Sequence, residues 1–474
     1  MSTTTADPSH KTRNIILVGL IFAVVAFQLN ATMLNPAVKQ MESALSATTA
    51  QIAFTTSLFF LSKAIFQIFM PRLSDMQGRR KILIITMGIL IVGTVISMLA
   101  PNVAWLYVGR AIQGACGPVF SIALLILRES TADEKEYGSK LGLIIAINGG
   151  VAGIDVILGG WMADNWGFRS ILAFTLAITL VALYMIIRWV PESHPSQGEK
   201  MDWVGVVFLS IFFVTVSWAV GSNPFFLITN KSTDMWIWIG TAVVAMIAFI
   251  LWEKSTKTPL IPRAHLTNRA IWFMPLTTIL TLTSIMAIVN LVVPSFTQNP
   301  DAGWGMEAST ASLLFMSPYA LVGWIAGPFA GRLAGTYGYR FLLRASIAAN
   351  VVILIFLALF GLSNPWVFGI LIFLLGVTYA GTTNVMLNGL GVVLSPKEAP
   401  GLLPGLNGAS FGIGASLSFA LLGKTITAGS PKGSESIAGY QNAIWIGVGI
   451  MIATLLVSML LPKPSADQAA EVEK

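Results

Sequence analysis

Apolar runs of about twenty residues, each closed by a short polar stretch, follow one another along the whole chain, and about twenty helical residues span a hydrocarbon core of ~30 Å. Fourteen runs can be read, at 14–39, 49–71, 81–100, 103–128, 138–163, 169–190, 201–221, 234–253, 269–296, 308–333, 339–361, 365–394, 402–426 and 440–461. The pattern predicts an all-α polytopic membrane protein with 14 transmembrane helices. The first run is too long for the apolar core of a signal peptide and lacks a small-residue cleavage site, so it is expected to remain in the mature chain.

Composition agrees, with 55% hydrophobic and 10% charged residues and a mean hydropathy of +0.77, where a soluble domain carries about 25% charged residues. The pI near 9.5 comes from basic residues scattered through short loops, with no patch or stripe of the kind nucleic acid requires. Their distribution is a topology signal. With the N-terminus inside, the cytoplasmic loops and tails hold 21 of the 28 Lys and Arg. Lys39, Arg169, Lys231, Lys424 and Lys432 fall outside, and Lys63 and Arg110 fall within the membrane. Both termini are therefore expected in the cytoplasm. The same sorting leaves one carboxylate inside the membrane, Asp155. A sequon at Asn230-Lys231-Ser232 lies in an outer loop and reads as a chance occurrence.

The chain also repeats itself. PRLSDMQGRRK at 71–81 and GRLAGTYGYRF at 331–341 align Arg72, Leu73, Gly78 and Arg80 with Arg332, Leu333, Gly338 and Arg340, each loop following the second helix of a six-helix set. This divides the chain into a cytoplasmic tail at 1–13, a bundle at 14–190, an inserted helix pair at 201–253, a cytoplasmic linker at 254–268, a second bundle at 269–461 and a tail at 462–474. Parallel repeats of this kind are a transporter plan, with the substrate site between the halves near the midplane.

RLSDMQGRRK resembles the loop signature of the major facilitator superfamily, and fourteen spans resemble its drug:proton antiporter branch. LYVGRAIQG at 106–114 is similar to the Arg-x-x-Gln-Gly signature of helix 4, and LGGWMADNWGFRSI at 158–171 to the end of helix 5 with its outer loop. SPYALVGWIAGPFAGRLAGTYGYR at 317–340 is similar to the second-half loop. The resemblance implies a fold of two pseudo-symmetric six-helix bundles plus two inserted helices. It also implies a conformational brace, Asp75 with Arg79 and Arg80, set against the N-terminal end of a second-half helix, where a carboxylate is favoured. Pro71 and Met76 depart from that signature. So does helix 1, where the branch's acid has become Asn30, and helix 5, where its Gly-Pro has become Asp155-Val156.

At 1.5 Å per residue, Asn30, Arg110 and Asp155 lie about 13, 10 and 12 Å from the outer ends of their runs, in one layer. An Asp155–Arg110 pair is therefore expected to carry proton coupling, with Asn30 and Gln113 completing its hydrogen bonds. Gly149, Gly153 and Gly160 form a stripe on helix 5 about 140° from Asp155, suited to close packing. Thr56, Lys63 and Gln67 form a polar stripe on helix 2, with Lys63 and Gln67 candidates for the substrate cavity. The second half offers only neutral groups at depth: Asn290, Tyr319, Tyr379, Thr383, Asn384, Asn388 and Asn407. They suit a substrate read by hydrogen bonds, or helix-to-helix bonding.

Enzyme chemistry has little to work with. His10, His194 and His265 lie in separate polar segments, so no triad or metal cluster is formed, and no metal or cofactor is expected. Cys116 is the single cysteine, which excludes an intrachain disulfide, and its apolar setting disfavours reactivity. Gly423-Lys424-Thr425 lacks the earlier glycine of a phosphate loop, Ser418 standing there. The expected protein is a monomeric secondary active transporter of the plasma membrane, whose partners are a small molecule, protons and the bilayer. The resemblance implies proton-coupled export. The altered signatures leave proton-coupled uptake, or passive facilitation, of a nucleoside-like compound or organic anion as the alternative. If Asp75 braces the cytoplasmic side, Asp75→Asn weakens the outward-facing state and lowers transport; unchanged turnover and conformational distribution would remove it from that role.

Overall fold

The computed structural model describes residues 10–131, 133–193, 200–220, 232–261, 263–396, 401–428 and 435–463. Asn230 and Lys231 of the sequon, His194, Lys397 and Lys432 lie outside the described residues, as do the C-terminal tail from 464 and residues 1–9 of the N-terminal one. Among the described residues fourteen helical spans are long and apolar enough to cross a membrane. They are α1 (Asn14–Leu45), α2 (Thr49–Gln77), α3 (Arg79–Met98), α4 (Val103–Ser130), α5 (Lys135–Trp166), α6 (Phe168–Trp189) and α7 (Trp203–Val220). The remainder are α8 (Met235–Ser255), α9 (Arg269–Gln298), α10 (Ala308–Tyr337), α11 (Tyr339–Ser363), α12 (Pro365–Val393), α13 (Leu402–Thr427) and α14 (Ile437–Ser458). An even number of spans returns both termini to one face.

Helix ends follow local chemistry. Thr48 and Gln51 form a capping box at the start of α2, and Asn102, Asn268, Asn364 and Ser436 cap α4, α9, α12 and α14 through their side chains. Such caps satisfy amides that would otherwise face an apolar medium unpaired. Gly78 and Gly338, the aligned glycines of the repeat, both adopt positive φ at the turns into α3 and α11, a conformation that disfavours any side chain.

The two bundles pack internally, α1 on α5 and α6, α3 on α4 and α6, α9 on α13 and α14, and α11 on α14. They meet along two seams, α2 against α13 and α5 against α10. The glycine stripe of α5 makes the second seam. A Cβ on Gly149 would strike Trp324, on Gly153 Leu321, and on Gly160 the Ala308 carbonyl at 2.7 Å. The inserted α7 and α8 pair with each other, and α7 lies against both α2 and α13. Ser416 joins the three, accepting at its carbonyl from Ser57 Oγ at 2.9 Å and lying 3.3 Å from Ser217 Oγ. At the base of this pair Glu253 accepts from the Leu260 and Ile261 amides, and Asp202 from the Trp252 indole.

The Asp75 loop is knit within the first bundle. Arg79 Nε donates to Asp75 at 2.9 Å, and its Nη1 reaches the Leu125 carbonyl and Glu129 on α4. Arg80 Nη2 donates to the Ile187 carbonyl at 2.6 Å. Glu192 and Ser193 accept from the first amides of α3, a cap contributed from beyond α6. Residues 397–400, just before α13, lie outside the described residues.

α3 and α4 cross where Gly93 faces Gly109: a Cβ on Gly109 would sit 2.2 Å from Ser97 Oγ and 2.9 Å from the Gly93 carbonyl, whereas one on Gly88 would meet nothing within 4 Å. Gly109→Val is expected to cost about 1–3 kcal/mol of stability through overpacking, read as a lower detergent melting temperature. Gly88→Val serves as the control and should melt close to the parent.

Candidate functional site

Lipid offers the backbone no hydrogen bonds, so irregular backbone at depth occurs only where protein or a polar cavity surrounds it. Five spans carry such interruptions. α1 is helical to Thr32, turns, and resumes through a 3-10 turn at Asn35–Ala37. α4 breaks between Gly114 and Val119. α9 contains a π-helical stretch at Ile288–Val292, α10 one at Ser312–Met316 and α12 one at Gly376–Thr383. Under the repeat, α1 corresponds to α9 and α4 to α12. Interruptions at corresponding positions of two halves mark a transporter's binding region, and π-helical segments concentrate at functional sites. The first pair touches directly, Asn35 Nδ2 donating to Asn290 Oδ1 at 2.8 Å.

The two buried charges of the first half stand beside these breaks. Arg110 is 2% exposed and Asp155 3%. Among the described residues they form no ion pair, which corrects the pairing expected from their common depth. The reason is azimuth. Arg110 Nη1 donates to the Asn30 carbonyl and to Gln113 Oε1, both at 3.0 Å, and its guanidinium lies 4.3 Å from the Phe59 ring centroid. Asp155 Oδ2 instead accepts from Thr32 Oγ1 at 2.5 Å. Asn30 and Thr32 are two residues apart on one helix, about 200° round its axis, so α1 presents opposite faces to the two charges. Asn30 and Gln113 do join Arg110 as expected: Gln113 Nε2 donates to Asn30 Oδ1 at 3.2 Å and to Thr94 at 3.0 Å. Thr32, and Gln28 whose Nε2 donates to it at 3.0 Å, were missed by sequence reasoning. The threonine two residues after Asn30 was the available signal.

Lys63 extends from α2 across Gly117, where a Cβ would lie 2.5 Å from its Cγ, into the break of α4. Its ammonium is 4.9 and 5.6 Å from the ring centroids of Phe27 and Phe60, and no described residue accepts a hydrogen bond from it. Gln67 donates to Ser121 at 2.9 Å. In the second half, Thr383 is fully buried and tied to Ser346 and Asn350 of α11, the counterpart of Gln113 with Thr94. Asn407 is likewise occupied, accepting from Thr278 at 2.6 Å and donating to Asn388 at 3.3 Å. Asn388 donates to Asn384 at 3.1 Å. Tyr319 and Tyr379 make no hydrogen bond to a described residue, and like Lys63 and the Asn384 amide they have donors to spare.

The face opposite the termini is sealed between the halves. Lys39 bridges Glu42 at 2.9 Å and Glu435 at 2.7 Å, while Asn299 and the Tyr440 hydroxyl also donate to Glu435. Gln298 Nε2 donates to the Pro36 carbonyl at 2.8 Å. Asp164, at the end of α5, accepts from the Ala308 and Ser309 amides at 3.0 and 2.8 Å, placing a carboxylate at the N-terminus of α10 in the opposite half.

Two bundles meeting at two seams, paired interruptions at depth and one face closed across the halves define a secondary transporter. The chain belongs to the Major Facilitator Superfamily, whose model matches residues 20–419, and it is accordingly a transporter rather than an enzyme. It is 37% identical to the uridine/deoxyuridine transporter of Lactococcus lactis subsp. cremoris over 94% of each chain. It is 24% identical to the quinolone resistance protein NorB of Staphylococcus aureus over 97% of this chain and 99% of that protein. It is 23% identical to the multidrug resistance protein Stp of Mycobacterium tuberculosis over 88% and 77%. Crystal structures of the nucleoside transporter NupG (TM-score 0.66, 16% identity, covering 94% of this chain and 100% of that one) and of the peptide transporter POT (TM-score 0.68, 14%, covering 94% and 93%) share the fold.

The separation of the two charges gives a double-mutant test. Arg110→Met and Asp155→Asn should change thermal stability additively, to within about 0.5 kcal/mol, while Arg110→Met and Gln113→Leu, whose side chains touch, should not. A strong coupling in the first cycle would restore the direct pair.

Proposed function

We propose that the protein takes up a nucleoside of the uridine type together with a proton across the plasma membrane, its termini in the cytoplasm. The substrate class is supported by the 37% identity to a uridine/deoxyuridine transporter, spread over nearly all of both chains. It suits the chemistry of the site, since a nucleoside carries hydroxyls, carbonyls and an imide but no charge. The free groups of Lys63, Tyr319, Tyr379 and Asn384 are donors for such acceptors, with Asn290 nearby at the paired breaks.

One observation carries the coupling: Asp155, a membrane-embedded carboxylate held on a neutral hydroxyl of a helix that is broken one residue further on. Buried ionisable groups are costly and usually functional, and this one is free of a permanent cationic partner that would hold its charge fixed. Export by antiport, implied by the resemblance, loses weight because the branch's helix 1 acid is Asn30 and its helix 5 Gly-Pro is absent. Arg110, locked to Asn30 and Gln113, serves as the anchor of α4 on α1. Asp75, Arg79 and Arg80 set the cytoplasmic side of the cycle.

Asp155→Asn is expected to abolish accumulation of labelled uridine driven by an acid-outside gradient in proteoliposomes while sparing counterflow exchange. Undiminished pH-driven accumulation would return Asp155 to the role of a structural strut.

A further inference from the structure

Thr32 occupies an unusual place. It is the last residue of the helical first part of α1, and the chain leaves helical geometry immediately after it. Its hydroxyl lies 3.0 Å from the Gln28 carbonyl one turn back in its own helix, and 2.5 Å from Asp155 Oδ2 on α5. Gln28 Nε2 donates to Thr32 Oγ1 at 3.0 Å. A hydroxyl has one hydrogen and two acceptor sites, so it cannot donate to both neighbours. Which one receives the hydrogen depends on whether Asp155 has its own.

We infer that Thr32 is a positioning residue that reports the protonation of Asp155 to the break in α1; the inference rests on the proton-coupled reading above. With Asp155 ionised, the carboxylate only accepts, and Thr32 spends its hydrogen across the α1–α5 contact in a charge-assisted bond. When a proton arrives from water and the O–H bond forms at Oδ2, that hydrogen bond reverses. Asp155 donates to Thr32 Oγ1, and Thr32 turns its hydrogen to the Gln28 carbonyl. No hydrogen leaves Thr32, and the Gln28 amide fills its second acceptor site. The charge-assisted tie between α1 and α5 is thus replaced by a neutral one plus a bond within α1, at the point where the helix ends. Beyond the break the same chain carries the closing contacts Asn35–Asn290, Pro36–Gln298 and Lys39–Glu435.

The surroundings leave this arrangement undisturbed. Among the described residues no charged side chain from the packed elements α1, α4, α6 or α10 bears on Asp155. Arg110 faces Asn30 on the other side of α1, and Asp164 is engaged at the end of α5. Asp155 Oδ1 is buried with no hydrogen-bond partner, and among the described residues Thr32 is the one side chain that hydrogen-bonds this carboxylate.

The test compares Thr32→Val, which keeps the shape and removes the hydroxyl, with Thr32→Ser, which keeps the hydroxyl. In proteoliposomes, uridine accumulation under an acid-outside gradient, divided by each variant's own counterflow rate, should fall about tenfold or more in Thr32→Val and stay near the parent in Thr32→Ser. A distance measured between spin labels at exposed Ala44→Cys and Glu307→Cys, on opposite halves of the closed face, should respond to pH in the parent and in Thr32→Ser but not in Thr32→Val. Parental accumulation by Thr32→Val, or loss in both variants, overturns the inference and leaves the coupled reading standing. Absence of pH-driven accumulation in the unaltered protein, or normal accumulation by Asp155→Asn, overturns the reading itself and the inference with it.

Discussion

Helix α1 holds two costly charges apart, and the site is arranged around that separation. A buried guanidinium or carboxylate needs hydrogen bonds, and an uncompensated one costs several kcal/mol. Arg110 finds them in the Asn30 carbonyl and Gln113, with the Phe59 ring against its face. Asp155 finds Thr32. Because the two attachments use different faces of one helix, Arg110 can stay fixed through a cycle while Asp155 changes state. A direct ion pair would have tied both to one event.

The remaining parts place that helix between a matched pair of helix breaks and the contacts that join the halves at one face. The break after Thr32 is matched by the π-helical stretch of α9, and Asn35 and Asn290 join the two. From there α1 runs to Lys39, whose bridge to Glu435 crosses between halves. Asp164 adds a second closure by capping α10 from α5. The glycines of α5 allow α10 to approach on one side while Asp155 turns to α1 on the other. Lys63, at the break of α4, and the free phenols near the break of α12 then leave unspent donors at depth, matching a neutral substrate rich in acceptors.

Hydropathy and length made the fourteen spans legible, since crossing a bilayer demands both, and the Arg-Leu…Gly…Arg repeat revealed the two halves. Depth was legible too, because rise per residue is fixed. Azimuth was not: counting placed Arg110 and Asp155 in one layer, but nothing in a single sequence says that α1 stands with Asn30 toward one and Thr32 toward the other. The apolar run ends at 39; in the structure Lys39 and Glu42 are paired and α1 continues to Leu45. The breaks had partial signals in Asn35-Pro36 and Gly117-Pro118. The π-helical stretches of α9 and α10 had a signal in Pro294 and Pro318, which follow them and cannot donate to the preceding turn; that of α12 holds no proline and had almost none. Thr383 and Asn407 stay open between cavity and helix-to-helix roles in the sequence, because a polar residue at depth has two possible partners and the sequence does not say which.

On the proposed reading a nucleoside and a proton travel together. This is tested most directly by adding uridine to the outside of lightly buffered proteoliposomes, with no imposed gradient, and following external pH. Symport predicts that uridine entry removes protons from the medium, so that the exterior turns alkaline, in proportion to the uridine taken up. External acidification would indicate exchange in opposite directions, and uridine entry with no pH change would indicate passive facilitation; either result would contradict the account.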